Sequence, residues 1–180
     1  RPVLATQRVR FVGEPIAMVI AQTLEQARDA AENIAFEYQD LPVHLALKAG
    51  GEPLHEEAPD NIAFDWGMGD QAATEAVFET AAHRIALDIA DNRIIVASIE
   101  PRGCFAEWEE DRLHVSVNGQ GVWPTKSRLA KMLKLSPEQV RVTNPDVGGG
   151  FGMKGMNYPE TFVCAHAARV LQRPVRWMSE

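Results

Sequence analysis

Apolar and polar residues along the first part of the chain alternate in a way that predicts two strands, a helix and a third strand. Residues 9–21 (VRFVGEPIAMVIA) read as two short strands broken by a turn at 13–15. Four apolar residues then recur at helical spacing over 24–34, and the aromatic residues of 36–38 alternate with polar neighbours. Residues 1–49 are therefore predicted to form a β-β-α-β unit.

The second part of the chain carries more strand patterns, separated by two helical patterns. Strands are predicted in RIALDIA (84–90), RIIVASI (93–99), GCFAEWE (103–109), LHVSVNG (113–119), QVRVTN (139–144) and the closing PVRWMSE (174–180). Helical stripes follow Pro124 and Pro159. They consist of Leu129, Met132 and Leu133 in the first helix, and of Phe162, Val163, Ala167 and Val170 in the second. Together these patterns predict the α+β class, with an antiparallel or mixed sheet.

Helix starts are marked by specific residues. Thr23 and Gln26 have the spacing of a capping box, and Asp70 can cap a short helix that follows it. Pro124 and Pro159 suit the first position of a helix, where the missing N–H costs nothing. We therefore predict four helices beginning at these points.

A polar segment rich in glycine and proline, GGEPLHEEAPDN (50–61), is the best candidate for a domain boundary. We divide the chain into a first domain over 1–49, a linker over 50–66 and a second domain over 67–180. The chain opens without methionine and closes inside a strand pattern, so an excised fragment is expected.

Composition narrows the function. The chain has 180 residues and a formal net charge of −7, without a cluster of Lys or Arg, which argues against a nucleic-acid surface. No apolar run approaches the roughly 20 residues of a membrane span. Cys104 and Cys164 form no C-x-x-C pair, which favours two buried thiols in a reducing cytoplasm. The five histidines never take metal-binding spacing, so no protein-ligated metal is expected.

The stretch PDVGGGFGMKGMNYP (145–159) contains five of the thirteen glycines. A phosphate-binding loop of the Walker type is excluded because Lys154 is followed by glycine instead of Ser or Thr. A dinucleotide fingerprint, G-x-G-x-x-G, is present, but it would place Pro159 inside a helix at a cost of about 3 kcal/mol. A connection without a ligand and a backbone-lined binding site remain, and the second is favoured because glycines let main-chain N–H groups approach a ligand closely.

VGGGFGMK (147–154), together with EPRG (100–103) and NGQGVWP (118–124), resembles the large, molybdopterin-binding subunit of the molybdenum hydroxylases. That family includes xanthine dehydrogenase, aldehyde oxidase and aerobic carbon monoxide dehydrogenase. Residues 8–42 look like the end of the family's α/β hammerhead domain, and residues 69–85 look like the start of its molybdopterin-binding domain. The EPRG segment is closer to the carbon monoxide dehydrogenase branch than to the purine enzymes, which carry a glutamate where this chain has Gly155.

The resemblance implies a set of cofactor-binding residues. Gln120 matches a glutamine whose amide donates to the apical oxygen on molybdenum. The backbone of the glycine stretch matches a segment that lies against the metal end of the cofactor. The ring of Phe151 is expected to anchor this loop. Lys154 is expected to steer a cofactor phosphate, to form a salt bridge with a later segment or to be solvated. Glu100 and Arg102 are expected to pair or to hold a strand turn. The implied cofactor-binding residues are Gln120, Gly149, Gly150, Phe151 and Gly152.

The resemblance also implies the rest of the enzyme. The cofactor is molybdenum with molybdopterin, in its cytosine dinucleotide form, and iron–sulfur (2Fe-2S) and FAD partner subunits receive the electrons within a dimer of heterotrimers. The family's general base lies outside these 180 residues, so the piece alone is expected to be inactive. The intact enzyme would oxidise an aldehyde, a heterocycle or carbon monoxide with water-derived oxygen. The alternatives are a cofactor-free assembly module and a fragment of a nucleotide-binding dehydrogenase.

Overall fold

The computed structural model describes residues 2–92 and 94–179, and it has the predicted α+β composition. Residues 1–34 and 93–180 form one compact unit, and residues 35–92 form another. The helices are α1 (Leu24–Glu32), α2 (Gln71–Thr80), α3 (Trp123–Leu133) and α4 (Pro159–Leu171), and the strands are β1 (Gly103–Glu109), β2 (Arg112–Val117), β3 (Val140–Thr143) and β4 (Val175–Met178).

The four strands form one mixed sheet in the order β3-β2-β1-β4. β1 pairs antiparallel with β2 and with β4, whereas β2 and β3 run parallel. In the parallel pair Leu113 lies opposite Val140, and in the antiparallel pair Cys104 lies opposite Val117. The predicted mixed sheet is confirmed.

The core lies between this sheet and α4. Successive strand residues point to opposite faces, so Ala106, Leu113 and Val115 are buried on one face. α4 covers that face with a side rich in small residues: Phe162, Cys164, Ala165, Ala167 and Ala168 are buried. The predicted α4 stripe was right for Phe162 and Ala167 and wrong for Val170, which is exposed because that position has turned away from the sheet.

All four helix starts agree with the sequence. The Thr23 side chain accepts from the Gln26 N–H at 3.2 Å while the Gln26 side chain accepts from the Thr23 N–H, which completes the capping box. Asp70 Oδ1 accepts from the Ala73 N–H at 2.9 Å. Prolines occupy the first turn of α3 and of α4.

Several predicted strands do not form. Residues 9–21 contain the expected turn, where the Glu14 N–H donates to the Phe11 carbonyl, but no described residue in 9–21, 36–38, 84–90 or 94–99 belongs to a strand. Arg93, the first residue of one predicted strand, lies outside the described residues. The side chains of 85–99 illustrate the reason: alternating apolar residues such as Ile85, Leu87 and Ile89 are largely exposed. A strand exists only when a neighbouring segment accepts and donates its backbone hydrogen bonds, and the described residues supply none here.

Within the second unit, the glycine- and proline-rich segment 50–61 is closed by its own hydrogen bonds. Asn61 adopts a left-handed backbone, and its side chain donates to the carbonyls of Gly50 and Glu52 and accepts from the Leu54 N–H. Asparagine tolerates this conformation better than most residues and uses its side chain to satisfy the backbone. The proposed division of the chain at residues 49 and 66 stays a prediction.

The core placement of Leu113 can be tested by truncation. Leu113→Ala removes a fully buried side chain, and we expect the free energy of unfolding to fall by about 2–5 kcal/mol. Met132→Ala, on the half-exposed side of α3, serves as the control and should cost less than about 1 kcal/mol. Urea denaturation followed by circular dichroism measures both. Equal costs for the two variants would contradict the assigned core.

Candidate functional site

The parallel pairing of β2 and β3 determines where the candidate residues lie. The carboxyl ends of parallel neighbours meet at the same edge of a sheet, so the segments that leave Val117 and Thr143 lie side by side. Because β1 is antiparallel to β2, the segment that enters β1 at Gly103 reaches this edge too. Three segments, 98–102, 118–121 and 144–155, therefore converge there.

Two asparagines tie these segments together. Asn144 Nδ2 donates to the Gly119 carbonyl at 2.7 Å, and its Oδ1 accepts from the Gly119 N–H at 3.1 Å. Asn118 Nδ2 donates to the Pro101 carbonyl at 2.7 Å, and its Oδ1 accepts from the Gly103 N–H at 2.8 Å. Each amide makes a donor and an acceptor contact with backbone, so the spacing of the three segments is closely defined.

The structure orients the Gln120 carboxamide. The Lys154 N–H donates to Gln120 Oε1 at 3.1 Å, and the Gln120 N–H donates to the Lys154 carbonyl at 3.2 Å. A backbone N–H can only donate, so the atom that faces it must be the amide oxygen. Nε2 then remains as a donor that meets no acceptor among residues 2–92 and 94–179, and Gln120 is exposed. Gln120 therefore does not cap α3, whose N-cap is Val122.

A row of main-chain donors lies beside this amide. We call residues 148–152 the glycine loop. The Gly148 N–H donates to Glu100 Oε2 at 2.8 Å, and a 3-10 turn follows the loop at Met153–Gly155. Between these bonded ends, the N–H groups of residues 149, 150, 151 and 152 find no protein acceptor in the part of the chain that the structure describes. Successive N–H groups of this kind bind anions or oxo groups.

Phe151 has the least ordinary backbone in the loop. Its φ is 50°, in the left-handed region that bulky residues avoid. The residue is 76% exposed, and its ring lies 3.0 Å from the place that a Cβ on Gly149 would take, so the ring is next to the loop and outside the core. That the ring anchors the loop stays a prediction. Backbone strain of this type concentrates at functional sites. Gly149 and Gly152 also have positive φ, at 100° and 89°, so three of the four residues 149–152 have left-handed backbone.

Side chains are excluded at three loop positions. An added Cβ would lie 2.5 Å from the Glu100 side chain at Gly148, 3.0 Å from the Phe151 ring at Gly149 and 2.7 Å from the Gln120 carboxamide at Gly150. Real Cβ atoms do not approach within 3.0 Å, so a side chain at Gly148 or Gly150 would require its neighbour to move. At Gly149 the contact is tight and φ is positive, so glycine is favoured there by space and by conformation. The loop backbone thus contacts its neighbours directly.

Glu100 and Lys154 form an ion pair under the loop. Lys154 Nζ lies 2.7 Å from Glu100 Oε2, and the lysine side chain is only 1% exposed. The Lys154 ammonium and the Gly148 N–H lower the pKa of the Glu100 carboxyl below its ordinary value of 4.5. Lys154 is therefore neither solvated nor directed at a phosphate. The predicted ion pair forms, but the expectation that its partner lies in a later segment is wrong, since Glu100 precedes Lys154 in the chain.

Arg102 pairs with a different residue. Its Nη1 lies 2.7 Å from Glu160 Oε1, and its guanidinium stacks 3.6 Å from the centre of the Tyr158 ring. The expectation that Glu100 and Arg102 pair with each other is therefore wrong, since each reaches a residue more than 50 positions along the chain. Sequence reasoning missed Tyr158, whose hydroxyl donates to the Met153 carbonyl at 2.7 Å. No pattern signalled it, because the contact depends on the path of the loop.

The remaining candidates are structural. Cys104 and Cys164 are both buried free thiols, as predicted. A hydrogen bond with Cys164, reinforced by burial, raises the pKa of the Cys104 thiol, which keeps it protonated and unreactive. Pro159 begins α4, and the loop before it is irregular. That geometry contradicts the dinucleotide fingerprint, which needs a helix starting within the glycines.

Comparison with known proteins identifies this arrangement. The model of the molybdopterin cofactor-binding domain matches residues 54–180, and that of the aldehyde oxidase and xanthine dehydrogenase a/b hammerhead domain matches residues 1–42. The chain belongs to the molybdopterin cofactor-binding domain family. The resemblance drawn from the glycine stretch is confirmed, and the implied cofactor class, molybdenum with molybdopterin, is supported by this family.

Relatives of known function are similar over the whole chain. The nicotine 6-hydroxylase large subunit of Paenarthrobacter nicotinovorans is 34% identical over 99% of this chain and 22% of its own length. The carbon monoxide dehydrogenase large chain of Hydrogenophaga pseudoflava is 33% identical over 99% of this chain and 24% of its own. The aldehyde oxidoreductase of Desulfovibrio gigas has the same fold, with a TM-score of 0.82 at 27% identity over 100% of this chain and 20% of that one. The chain thus spans less than a quarter of these proteins. Among the described residues, no helix is both long and apolar enough to cross a membrane.

The Glu100–Lys154 pair predicts a specific pH dependence. Because the folded-state pKa of Glu100 lies below 4.5, the pair stabilises the folded protein above that pH and loses this effect as the pH falls through the lowered pKa. Glu100→Gln should therefore reduce the free energy of unfolding at neutral pH, and the difference from wild type should shrink as the pH falls below 4.5 and through the lowered pKa. Urea denaturation of both proteins across this range measures it. A difference independent of pH would contradict the assignment.

Proposed function

We propose that the protein containing this chain is the catalytic large subunit of a molybdenum hydroxylase. It oxidises a small substrate, an aldehyde, a heterocycle or carbon monoxide, with oxygen derived from water. The observation that carries the proposal is the row of unpaired N–H groups over 149–152 beside the amide of Gln120. Such donors suit oxygen and sulfur atoms around a metal that a cofactor holds, because the protein then supplies hydrogen bonds instead of metal ligands.

The residues at this site fit a molybdenum–molybdopterin cofactor. A Cβ at Gly150 would fill the space that the Gln120 carboxamide occupies, so the loop and the amide are shaped for each other. When bound, the molybdenum cofactor supplies the two-electron oxidation and the oxygen transfer. The chain's contribution is to hold Gln120 Nε2 and the N–H groups of Gly149, Gly150, Phe151 and Gly152 as fixed donors. Fixed donors need no reorganisation during the reaction.

The finer features of the enzyme belong to the same proposal. The pterin is expected to be in the cytosine dinucleotide form, with 2Fe-2S and FAD partner subunits in a cytoplasmic dimer of heterotrimers. Support comes from relatives named as a large subunit and a large chain. Residues 1–49 would form the C-terminal part of the hammerhead domain, and residues 67–180 the N-terminal part of the molybdopterin-binding domain. Residues 50–66 would form the linker between them. The general base lies outside residues 1–180, so this piece alone would not turn over.

Substrate preference is proposed from Gly155. Among the described residues, an added Cβ there would have only the Gln120 Cβ within 4 Å, at 3.9 Å, so this position itself contributes no side chain near Gln120. Purine enzymes of the family resemble this segment but carry a glutamate at the matching position. We therefore place aldehydes, carbon monoxide and other heterocycles ahead of purines.

Two neighbouring glycines provide a matched test. Gly150→Ala would force its methyl group against Gln120, whereas Gly155→Ala meets ordinary contact distances, and neither residue has a positive φ. We expect Gly150→Ala to lower molybdenum content or turnover about 10–100-fold, the usual effect of disturbing residues that orient a metal site. Gly155→Ala should retain both.

The measurements are molybdenum per chain by mass spectrometry and turnover with aldehyde, heterocycle and carbon monoxide substrates. Wild-type protein without molybdenum would contradict the proposal and favour the assembly module. Thermal stabilisation by NAD would instead favour the dehydrogenase alternative. Equal behaviour of the two variants would separate the glycine loop from cofactor binding.

A further inference from the structure

Residues 100–102 contact the candidate site without providing any of its donors. Glu100 Oε2 accepts from both Lys154 Nζ and the Gly148 N–H, at 2.7 and 2.8 Å. The Glu100 N–H also donates to the Gly148 carbonyl at 3.3 Å. One glutamate thus holds the first residue of the glycine loop and the lysine that follows the loop.

Because Lys154 is buried, its ammonium group depends on the contact with Glu100. A buried ammonium is stable only when it is paired and hydrogen-bonded, and the Lys154 side chain is 1% exposed. Glu100 therefore determines where Lys154 lies. The Lys154 backbone in turn bonds both the Gln120 carboxamide oxygen and the Gln120 N–H. A chain of contacts leads from the glutamate to the orientation of the Gln120 amide.

Arg102 contacts the segment that follows the glycine loop. It pairs with Glu160 in the first turn of α4 and stacks on Tyr158, whose hydroxyl bonds the Met153 carbonyl. Asn118 fixes the segment between the two charged residues by donating to the Pro101 carbonyl. The segment is thus attached to the sheet and contacts the loop region at both ends.

We propose that Glu100 and Arg102 are positioning residues. Glu100 acts through Lys154 to set the glycine loop and the Gln120 amide, and Arg102 acts through Tyr158 to set the 3-10 turn after the loop. The role in the reaction rests on the proposed function, whereas the control of the loop does not. Neither charged group meets substrate or cofactor in this assignment.

The test compares Glu100→Gln, Lys154→Met and the double variant in the cofactor-loaded enzyme. Hydrogen–deuterium exchange of peptides covering 148–154 should be about tenfold faster in each variant, because charged hydrogen bonds to the loop are lost. Turnover should fall about tenfold to 100-fold in kcat with KM nearly unchanged, since a misplaced donor affects the reaction more than substrate binding. The double variant should cost no more than the worse single variant, because the two residues act as one unit.

Glu107→Gln is the matched control. It breaks a pair of the same 2.7 Å length, with His114 on β2, away from the loop. This variant should leave loop exchange and kcat unchanged. Unchanged loop exchange in both Glu100→Gln and Lys154→Met would overturn the proposal, as would faster exchange spread over β2 and α4.

The results distinguish the proposed enzymatic function from the proposed positioning roles of Glu100 and Arg102. Faster loop exchange with unchanged kcat would overturn the role in the reaction. Wild-type enzyme that lacks molybdenum would overturn the proposed function, while the exchange data would still decide whether Glu100 and Lys154 hold the loop. Arg102→Met, with Tyr158→Phe beside it, extends the test: both should accelerate exchange at Met153, and neither doing so would remove Arg102 from the assignment.

Discussion

The parallel pairing of β2 with β3 is the constraint on which the rest of the site depends. It places the ends of two strands 26 positions apart in sequence, Val117 and Thr143, at one edge of the sheet. The reciprocal amide contacts between Asn144 and Gly119 then fix the separation of the segments that follow. Without this pairing, Gln120 and the glycine loop would not be brought to the same edge of the sheet.

The chemistry of the site is mostly backbone chemistry. Phe151 and two glycines of the loop have positive φ, and an added Cβ at Gly148 or Gly150 would collide with a neighbouring side chain. Such a conformation costs free energy. The Glu100–Lys154 pair and the Tyr158 hydroxyl supply specific contacts that hold it. A strained loop that is held from several sides presents donors that are already in place when a cofactor binds.

The sequence was a good guide where the signal was local. The strand at 103–109, the caps at Thr23 and Asp70 and the helix start at Pro159 were predicted from the sequence pattern. The strand predicted at 113–119 is also present, and it ends two residues earlier, at Val117. The strands predicted at 9–21, 36–38, 84–90 and 93–99 do not form in the described residues. Alternation of apolar and polar residues shows only that a segment can form a strand, and a partner strand must also be present. The role of Glu100 was missed because its partner is 54 positions away. Pairs of that kind depend on tertiary structure, which no spacing rule contains.

Anomalous diffraction at the molybdenum edge, from crystals of the cofactor-loaded protein, tests the central claim most directly. The account predicts a single metal peak at the carboxyl edge of β2 and β3, with an oxygen on that metal about 3 Å from Gln120 Nε2. The N–H groups of the glycine loop should face the same centre. A peak remote from this edge, or a Gln120 amide turned away from the metal, would contradict it.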